Sequence, residues 1–130
     1  ATFLLYLLSE LFEALPEGLI ACLPGGGDRA PDVAWVRLDR WQSLTQQEQE
    51  GFPPICPDFV IELRSRTDRL PPLQKKMQEY LACGLQLGWL IDRKDRQVEI
   101  YRAGKLVEVL AMPIVLSGED VLPGFNLEVS

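Results

Sequence analysis

Alternating apolar and polar positions along the chain predict a series of β-strands. The segments "DVAWVRL" and "DFVIELRS" each place every second side chain on the same face, as a half-buried strand does. The segment "LGWLIDRKDRQVEIYRAG" contains two such runs around a polar turn, which is typical of a hairpin. The shorter apolar runs in "GLIACLP" and "KLVEVL" predict two further strands.

Helical spacing of apolar positions predicts two amphipathic helices. The first covers residues 3–15, and Pro16 ends it. The second lies in "LQKKMQEYLACG", where Gly84 is a natural C-terminal cap and the apolar stripe consists of Leu73, Met77, Tyr80 and Leu81. Strands precede and follow this second helix, so the pattern predicts an α/β fold, a mixed sheet with flanking helices.

Two connecting segments have weaker patterns. The polar stretch "DRWQSLTQQEQEGFPPICP" predicts one helical turn near "TQQEQE", and "GEDVLPGFNLEV" predicts a closing segment around a Pro-Gly turn. Trp35 and Trp89 lie in strand patterns and are expected in the core, whereas Trp41 lies in the polar stretch and is a candidate for a contact surface.

Composition narrows the possible chemistry. The 130 residues fit one domain, and 47% are apolar, which is enough for a buried core. The net charge of −6 counts against non-specific attraction to nucleic acid, although a local basic patch can coexist with an acidic total. The chain has no histidine, which excludes Ser-His-Asp and Cys-His catalysis. A metal would therefore be held by carboxylates and carbonyls, as Mg²⁺ or Mn²⁺ is.

The sequence shows no recognisable targeting signal, and together with the cysteine spacing this favours a cytoplasmic protein that has no membrane contact. The apolar start "ATFLLYLLSELFEAL" has no basic leader and is interrupted by Ser9, Glu10 and Glu13. It falls short of the roughly 20 apolar residues that a membrane span needs. The three cysteines are far apart and form no zinc-type spacing, which is typical of reduced thiols.

The acids in the second strand segment need an explanation. A buried carboxylate at Glu62, in "VIEL", costs several kcal/mol unless a cation, a metal or solvent compensates it. Asp58 shares its face but lies roughly 13 Å away along the strand, too far for one ion, and reads as a strand-entry residue. Asp32 on a neighbouring strand could meet Glu62 across about 4.8 Å. Arg64 could instead simply neutralise Glu62.

The predicted helix offers a cation for the same face. At about 100° per residue, Lys76 lies beside the apolar stripe and can lean over the sheet, whereas Lys75 lies almost opposite and faces solvent. A lysine at the margin of a core often merely extends its amine to solvent. The position of Lys76 is therefore compatible with either a structural or a functional role.

Three segments together resemble a known family. "APDVAWVRLDRW", "PDFVIELRSRTDRLPPLQKKMQEYLACGLQLGWLIDRKDRQVEIYR" and "LPGF" are similar, in order and spacing, to the Uma family of restriction-endonuclease-like proteins, which is abundant in cyanobacteria. The resemblance runs from about residue 19 to the C-terminus. It implies one restriction-endonuclease-like domain over residues 1–130, with a shortened N-terminal part, and the PD-(D/E)xK nuclease fold.

The resemblance also implies a set of site residues. Asp32 matches the first metal-binding acid and Glu62 the second. The lysine that usually stands two positions after the second acid is replaced by Arg64, and Lys76 matches the position to which this family moves it. Asp58 matches a frequent family residue and is a possible auxiliary. An N-terminal acid of the family could be supplied here by Glu10 or Glu13.

The resemblance leads to a hypothesis with two rivals. The chain is expected to be a Mg²⁺- or Mn²⁺-dependent endonuclease that hydrolyses DNA, with Asp32, Glu62 and the Leu63 carbonyl as metal ligands and with Arg64 and Arg66 contacting phosphate. A double-strand cutter is expected to be a homodimer. The alternative is an inactive nuclease-like module that binds a partner or dimerises. A third reading is a hydrolase of small phosphorylated molecules.

Overall fold

The computed structural model describes Tyr6 and residues 18–22, 32–50 and 55–130. The helix predicted over residues 3–15 lies outside this part of the chain, apart from Tyr6, as do Glu10 and Glu13. The six strands predicted from the sequence, four from alternation and two from shorter apolar runs, all form close to where the sequence places them. Residues 114–129, in contrast, form a separate two-stranded sheet that the pattern did not predict, and only its second strand lies in the predicted closing segment.

The described residues form one six-stranded mixed sheet with strands in sequence order. Only the pair β3–β4 is parallel, and every other pair is antiparallel. A parallel pair needs a crossover connection, and a helix supplies it here. The strands are β1 (Gly18–Cys22), β2 (Val33–Arg37), β3 (Phe59–Leu63), β4 (Leu87–Asp92), β5 (Gln97–Arg102) and β6 (Glu108–Ala111).

Three described helices flank the sheet: α1 (Leu38–Gln42), α2 (Gln46–Glu50) and the crossover α3 (Leu70–Cys83). The sequence predicted a single turn where α1 and α2 form. Helix α2 starts with a reciprocal cap, because Glu48 N–H donates to Thr45 Oγ1 while Thr45 N–H donates to the Glu48 carboxylate. Helix α3 ends at Gly84, whose φ of 123° lies outside the range of L side chains. None of these helices is long and apolar enough for a membrane span.

The two faces of the sheet have different partners. One face carries Trp35, Phe59 and Trp89 and packs on a two-stranded sheet of β7 (Ile114–Ser117) and β8 (Asn126–Val129). The other face carries Val60 and Leu90 and packs on α3. Glu62 has the same parity as Val60, so the alternation of β3 directs its carboxylate toward the helix.

A glycine lets α3 lie close to the sheet. A Cβ built on Gly88, in β4, would stand 2.7 Å from the Met77 Cε, 2.9 Å from a methyl of Leu85 and 3.1 Å from a methyl of Val60. All three neighbours are completely buried. The absence of a side chain at Gly88 therefore sets the height of the helix above the sheet, and with it the height of any helical side chain that reaches Glu62.

We expect Gly88→Ala to lower the free energy of unfolding by about 1–3 kcal/mol, because a methyl group in this close-packed layer forces Met77 and Leu85 to move. Urea denaturation followed by circular dichroism measures the change. The control is Gln86→Ala, an exposed substitution two residues earlier, which should shift stability by less than about 0.5 kcal/mol. Equal stability of Gly88→Ala and Gln86→Ala would contradict close packing at Gly88.

Candidate active site

A buried carboxylate lies on the helix-facing side of the sheet, near the C-terminal end of β3. Glu62 is 3% exposed and lies beside Leu90 of the parallel strand β4. Its Oε1 atom is 3.2 Å from the Lys76 Nζ and accepts a hydrogen bond of 3.0 Å from the Tyr80 hydroxyl. Both contacts come from α3, so the crossover helix supplies the polar partners that the buried acid requires.

Helical geometry explains why Lys76 and Tyr80 meet the same carboxylate. Residues four apart lie one above the other on a helix face. The apolar stripe of α3 packs on the sheet and so directs this face toward it. Met77, a member of the stripe and the neighbour of Lys76, is completely buried. The Lys76 side chain is only 16% exposed, whereas Lys75 is exposed. The orientation of the two lysines is the one that the helical spacing predicts.

Asp32 lies across from Glu62 on the neighbouring strand. The antiparallel pairing of Val33 with Ile61 places Asp32 opposite Glu62 one position further along. The Asp32 Oδ2 accepts a hydrogen bond of 2.7 Å from the Leu63 amide. One acid just before β2, one acid in β3 and one amine from α3 therefore lie at the same end of the sheet.

The electrostatics of this cluster favour a protonatable Glu62. Burial raises the pKa of Glu62 above its ordinary value, the Lys76 ammonium opposes this rise, and the negative charge of Asp32 adds to it. Burial and the neighbouring Glu62 carboxylate also raise the pKa of Tyr80, which keeps its hydroxyl a hydrogen-bond donor at neutral pH. A nearby cation of higher charge would stabilise the ionised form of Glu62.

The donor atoms of the cluster fit a hard divalent cation. Carboxylate oxygens are the ligands that Mg²⁺ and Mn²⁺ prefer, and Asp32 and Glu62 approach from adjacent strands. Both hydrogen-bonding neighbours of Glu62 are directed to Oε1. The described residues contain no group of three metal-binding side chains. Two carboxylates suffice for Mg²⁺, which commonly keeps several water ligands.

Arg64 has different partners from those considered in the sequence. Its guanidinium is 2.8 Å from the Asp92 carboxylate and 2.9 Å from the Asp95 carboxylate, and its Nε donates to the Asp68 carbonyl. Lys76 rather than Arg64 is therefore the cation beside Glu62. The phosphate contact predicted for Arg64 is not favoured by this arrangement, because two acids already engage its charge. Arg66 is exposed in the following turn.

Asp58 has a structural position apart from the cluster. Its Oδ2 accepts a hydrogen bond of 2.9 Å from the Arg37 amide, and its Oδ1 lies 2.7 Å from the guanidinium of Arg40 in α1. These contacts fix the entry of β3 against the end of β2, which agrees with the interpretation of Asp58 as a strand-entry residue. It lies at the opposite end of β3 from the cluster.

Two polar features of this face were not predicted from the sequence. Tyr80 was assigned to the apolar stripe, so its hydroxyl was not considered as a polar contact. Its spacing of four residues from Lys76 nevertheless indicated that the two side chains could reach the same group. Glu99 in β5 is 3% exposed; it accepts hydrogen bonds of 2.6 Å from the Tyr101 hydroxyl and 2.9 Å from Gln74. Like Glu62, Glu99 interrupts an apolar strand, "QVEIYR". This interruption was the sequence signal that could have indicated a second buried acid.

Comparisons with known proteins agree with this architecture. The model of the Uma2 family, described as "Putative restriction endonuclease", matches residues 1–130. The chain is also similar to the crystal structure of a putative nuclease belonging to DUF820 from Anabaena variabilis ATCC 29413, with 25% identity and a TM-score of 0.64. The similarity covers 76% of this chain but only 56% of that chain. No match was found among curated proteins. The predicted restriction-endonuclease-like fold is confirmed.

We expect Glu62→Gln to increase resistance to urea at pH 7, because burial raises the pKa of Glu62 and the amide removes the desolvated charge. In the wild type, the folded state binds the proton more tightly than the unfolded state does. The free energy of unfolding of the wild type therefore rises relative to that of Glu62→Gln as the pH falls toward 4.5, the ordinary pKa of a glutamate. The difference in stability between the two proteins should shrink over this range.

The control is Glu79→Gln, which removes an exposed carboxylate from the same helix and should change stability by less than about 0.5 kcal/mol. Denaturation midpoints at several pH values give the comparison. If Glu62→Gln proves less stable than the wild type at pH 7, the ion pair with Lys76 outweighs the cost of burial.

A second stability prediction concerns Arg64. We expect Arg64→Gln to lower the melting temperature by several degrees, because Asp92 has no exposed surface and would lose its cation. Asp95→Asn removes only the half-exposed partner of Arg64 and should change the melting temperature much less. Thermal denaturation of both variants tests this, and equal effects would argue against Asp92 as the main partner.

Proposed function

Because this chain belongs to the Uma2 family, described as putative restriction endonucleases, we propose that it hydrolyses DNA phosphodiester bonds in a metal-dependent reaction. The observation that supports this proposal is the meeting of Asp32, Glu62 and Lys76 at one end of the sheet. Two acids from adjacent strands and one amine form the set of groups that this chemistry needs. Here the helix, rather than the strand, supplies the amine.

Asp32 and Glu62 are the residues that would hold Mg²⁺ or Mn²⁺ in this proposal, with the Leu63 carbonyl as a further ligand. A bound ion would supply Lewis-acid chemistry: polarisation of a phosphoryl oxygen and a lower pKa for coordinated water. The pKa of Glu62 is raised, so metal binding would compete with a proton at this carboxylate.

Lys76 has two roles in the proposal. Its ammonium holds Glu62 Oε1 in a fixed orientation together with Tyr80, and it provides positive charge beside the reacting phosphate. The Lys76 amine carries several N–H donors, so it can also orient the attacking water by hydrogen bonding. Tyr80 acts through Glu62 and is a positioning residue.

The rival proposal is a nuclease-like module without catalysis. Arg64 favours it, because an arginine stands at the strand position of the usual lysine and is engaged by Asp92 and Asp95. The contact between Lys76 and Glu62 favours catalysis, because the amine reaches the second acid by another path. We therefore prefer the nuclease.

The main test is cleavage of supercoiled plasmid with Mg²⁺ or Mn²⁺. We expect Glu62→Ala and Asp32→Asn to abolish cleavage, and Lys76→Ala to lower the rate about 100-fold or more, since each removes a group that contacts the metal or the reacting phosphate. The matched control is Lys75→Ala, which removes the adjacent exposed lysine and should retain the wild-type rate. Circular dichroism of each variant checks that it folds.

Two further measurements separate the rivals. Titration calorimetry with Mn²⁺ should detect binding in the wild type that Asp32→Asn and Glu62→Ala remove, whereas an inactive module should bind none at these residues. A panel of small phosphoesters beside the plasmid distinguishes a nuclease from a hydrolase of small molecules. Wild-type cleavage by Glu62→Ala would refute the assignment of the site.

The homodimer remains a prediction for this function. Strand β6 is an outer strand of the described sheet, and its surroundings expose Leu106 at 93% and Val109 at 55%. An outer strand with exposed apolar side chains favours pairing of chains. Two copies would bring two sites to one duplex, as cutting both strands requires. Sedimentation measurements would determine the oligomeric state.

A further inference from the structure

Positive charge is concentrated at one edge of this acidic protein. The chain has 13 Lys and Arg residues against 19 Asp and Glu residues. Two short segments, residues 64–69 and 92–96, reverse this ratio and are called the basic rim here. The rim contains three acids, Asp68, Asp92 and Asp95, and six basic residues, Arg64, Arg66, Arg69, Arg93, Lys94 and Arg96.

The basic rim borders the candidate active site. Strands β3 and β4 are parallel, so their C-terminal ends meet at the same edge of the sheet. Residues 64–69 follow β3 directly, and the turn at 93–96 follows β4. Arg64 lies two positions beyond Glu62, about 7 Å along the chain. Asp32, which bonds to the Leu63 amide, lies at this edge as well.

Internal contacts brace the two segments. Arg64 links them, because its guanidinium contacts both Asp92 and Asp95 in the other segment. The Asp68 carboxylate accepts a hydrogen bond from the Ser65 amide, and the Asp92 carboxylate accepts one from the Asp95 amide. All three acids of the rim are therefore used in holding its shape. The other cations extend from a fixed backbone, which lowers the entropy lost on binding.

The outward cations of the rim differ from most basic residues elsewhere. Arg66, Arg69, Lys94 and Arg96 are exposed, and no ion pair joins them to any residue that the structure describes. At the opposite end of the sheet, Arg37, Arg40 and Arg102 each pair with an acid. Exposed cations that form no ion pair with a described residue are suited to an anionic partner.

We propose that the basic rim binds the phosphate backbone of duplex DNA and guides it to Glu62, with Arg66, Arg69, Lys94 and Arg96 as the phosphate contacts. The rim contains no aromatic residue on which unpaired bases could stack, so its chemistry fits a backbone rather than single-stranded bases. Arg64 is a positioning residue in this scheme. The inference rests on the proposed function, since it names the surface that presents the substrate.

The test measures binding without cleavage. A fluorescein-labelled duplex is titrated with protein in EDTA at several salt concentrations, and anisotropy gives the Kd. Each phosphate contact changes the slope of log K against log salt by about 0.9. We expect Lys94→Gln/Arg96→Gln and Arg66→Gln/Arg69→Gln each to weaken binding and to flatten this slope by about 1.8.

The matched control places the same charge change at the other end of the sheet. Lys105→Gln removes an exposed lysine from the turn after β5 and should leave the slope at the wild-type value, whereas Lys94→Gln alone should flatten it by about 0.9. Melting temperatures of all variants check that they fold. Because EDTA removes divalent metal, the result is independent of the cleavage assay.

The outcomes distinguish this inference from the proposed function. Weaker binding by the rim variants, with an unchanged control, supports the rim whether or not the plasmid is cut. Wild-type slopes in both double variants would overturn the rim, as would an equal loss in Lys105→Gln. Failure of the wild type to bind duplex at low salt would overturn it too, while plasmid cleavage would still decide the proposed function.

Discussion

The buried carboxylate of Glu62 is the constraint around which this fold is arranged. An ionised acid with 3% exposure is costly unless donors reach it, and α3 provides both donors. The helix can do so only because Gly88 leaves room for it to lie close to β4. Apolar packing and polar contact therefore depend on each other: the same helix face that buries Met77 also brings Lys76 to the acid.

The position of the Lys76 amine, on α3 rather than on β3, follows from the acids that surround Arg64 at the end of β3. A lysine two positions after Glu62 would occupy the place of Arg64, where Asp92, with no exposed surface, requires a cation. The Arg64 guanidinium pairs with the buried Asp92 and also with Asp95, and so links the segments that follow β3 and β4. A lysine amine at this position could not make both contacts in the same way. Lys76 then approaches Glu62 from above rather than along the strand. Separate residues thus perform the structural and the electrostatic tasks.

Sequence patterns predicted those parts of the structure that depend on local periodicity. Alternation located the hairpin of β4 and β5, and helical spacing separated Lys76 from Lys75. Alternation cannot, however, identify which buried acid an arginine contacts, because Asp92 and Glu62 are equally plausible partners of Arg64 in sequence. The small sheet of β7 and β8 was not predicted, because β8 lies in the closing segment that was assigned to a Pro-Gly turn, and this left β7 without a pairing partner.

An acidic total charge does not oppose DNA binding when charge is unevenly distributed. Screening limits the reach of exposed charges to about 8 Å at physiological salt, so acids at the far end of the sheet contribute little at the basic rim. Local pairing matters more: Arg37, Arg40 and Arg102 are compensated by acids, whereas the rim uses its acids to hold its own backbone. Net charge alone is therefore a weak guide to nucleic-acid binding, because it averages over surfaces that a duplex would meet separately.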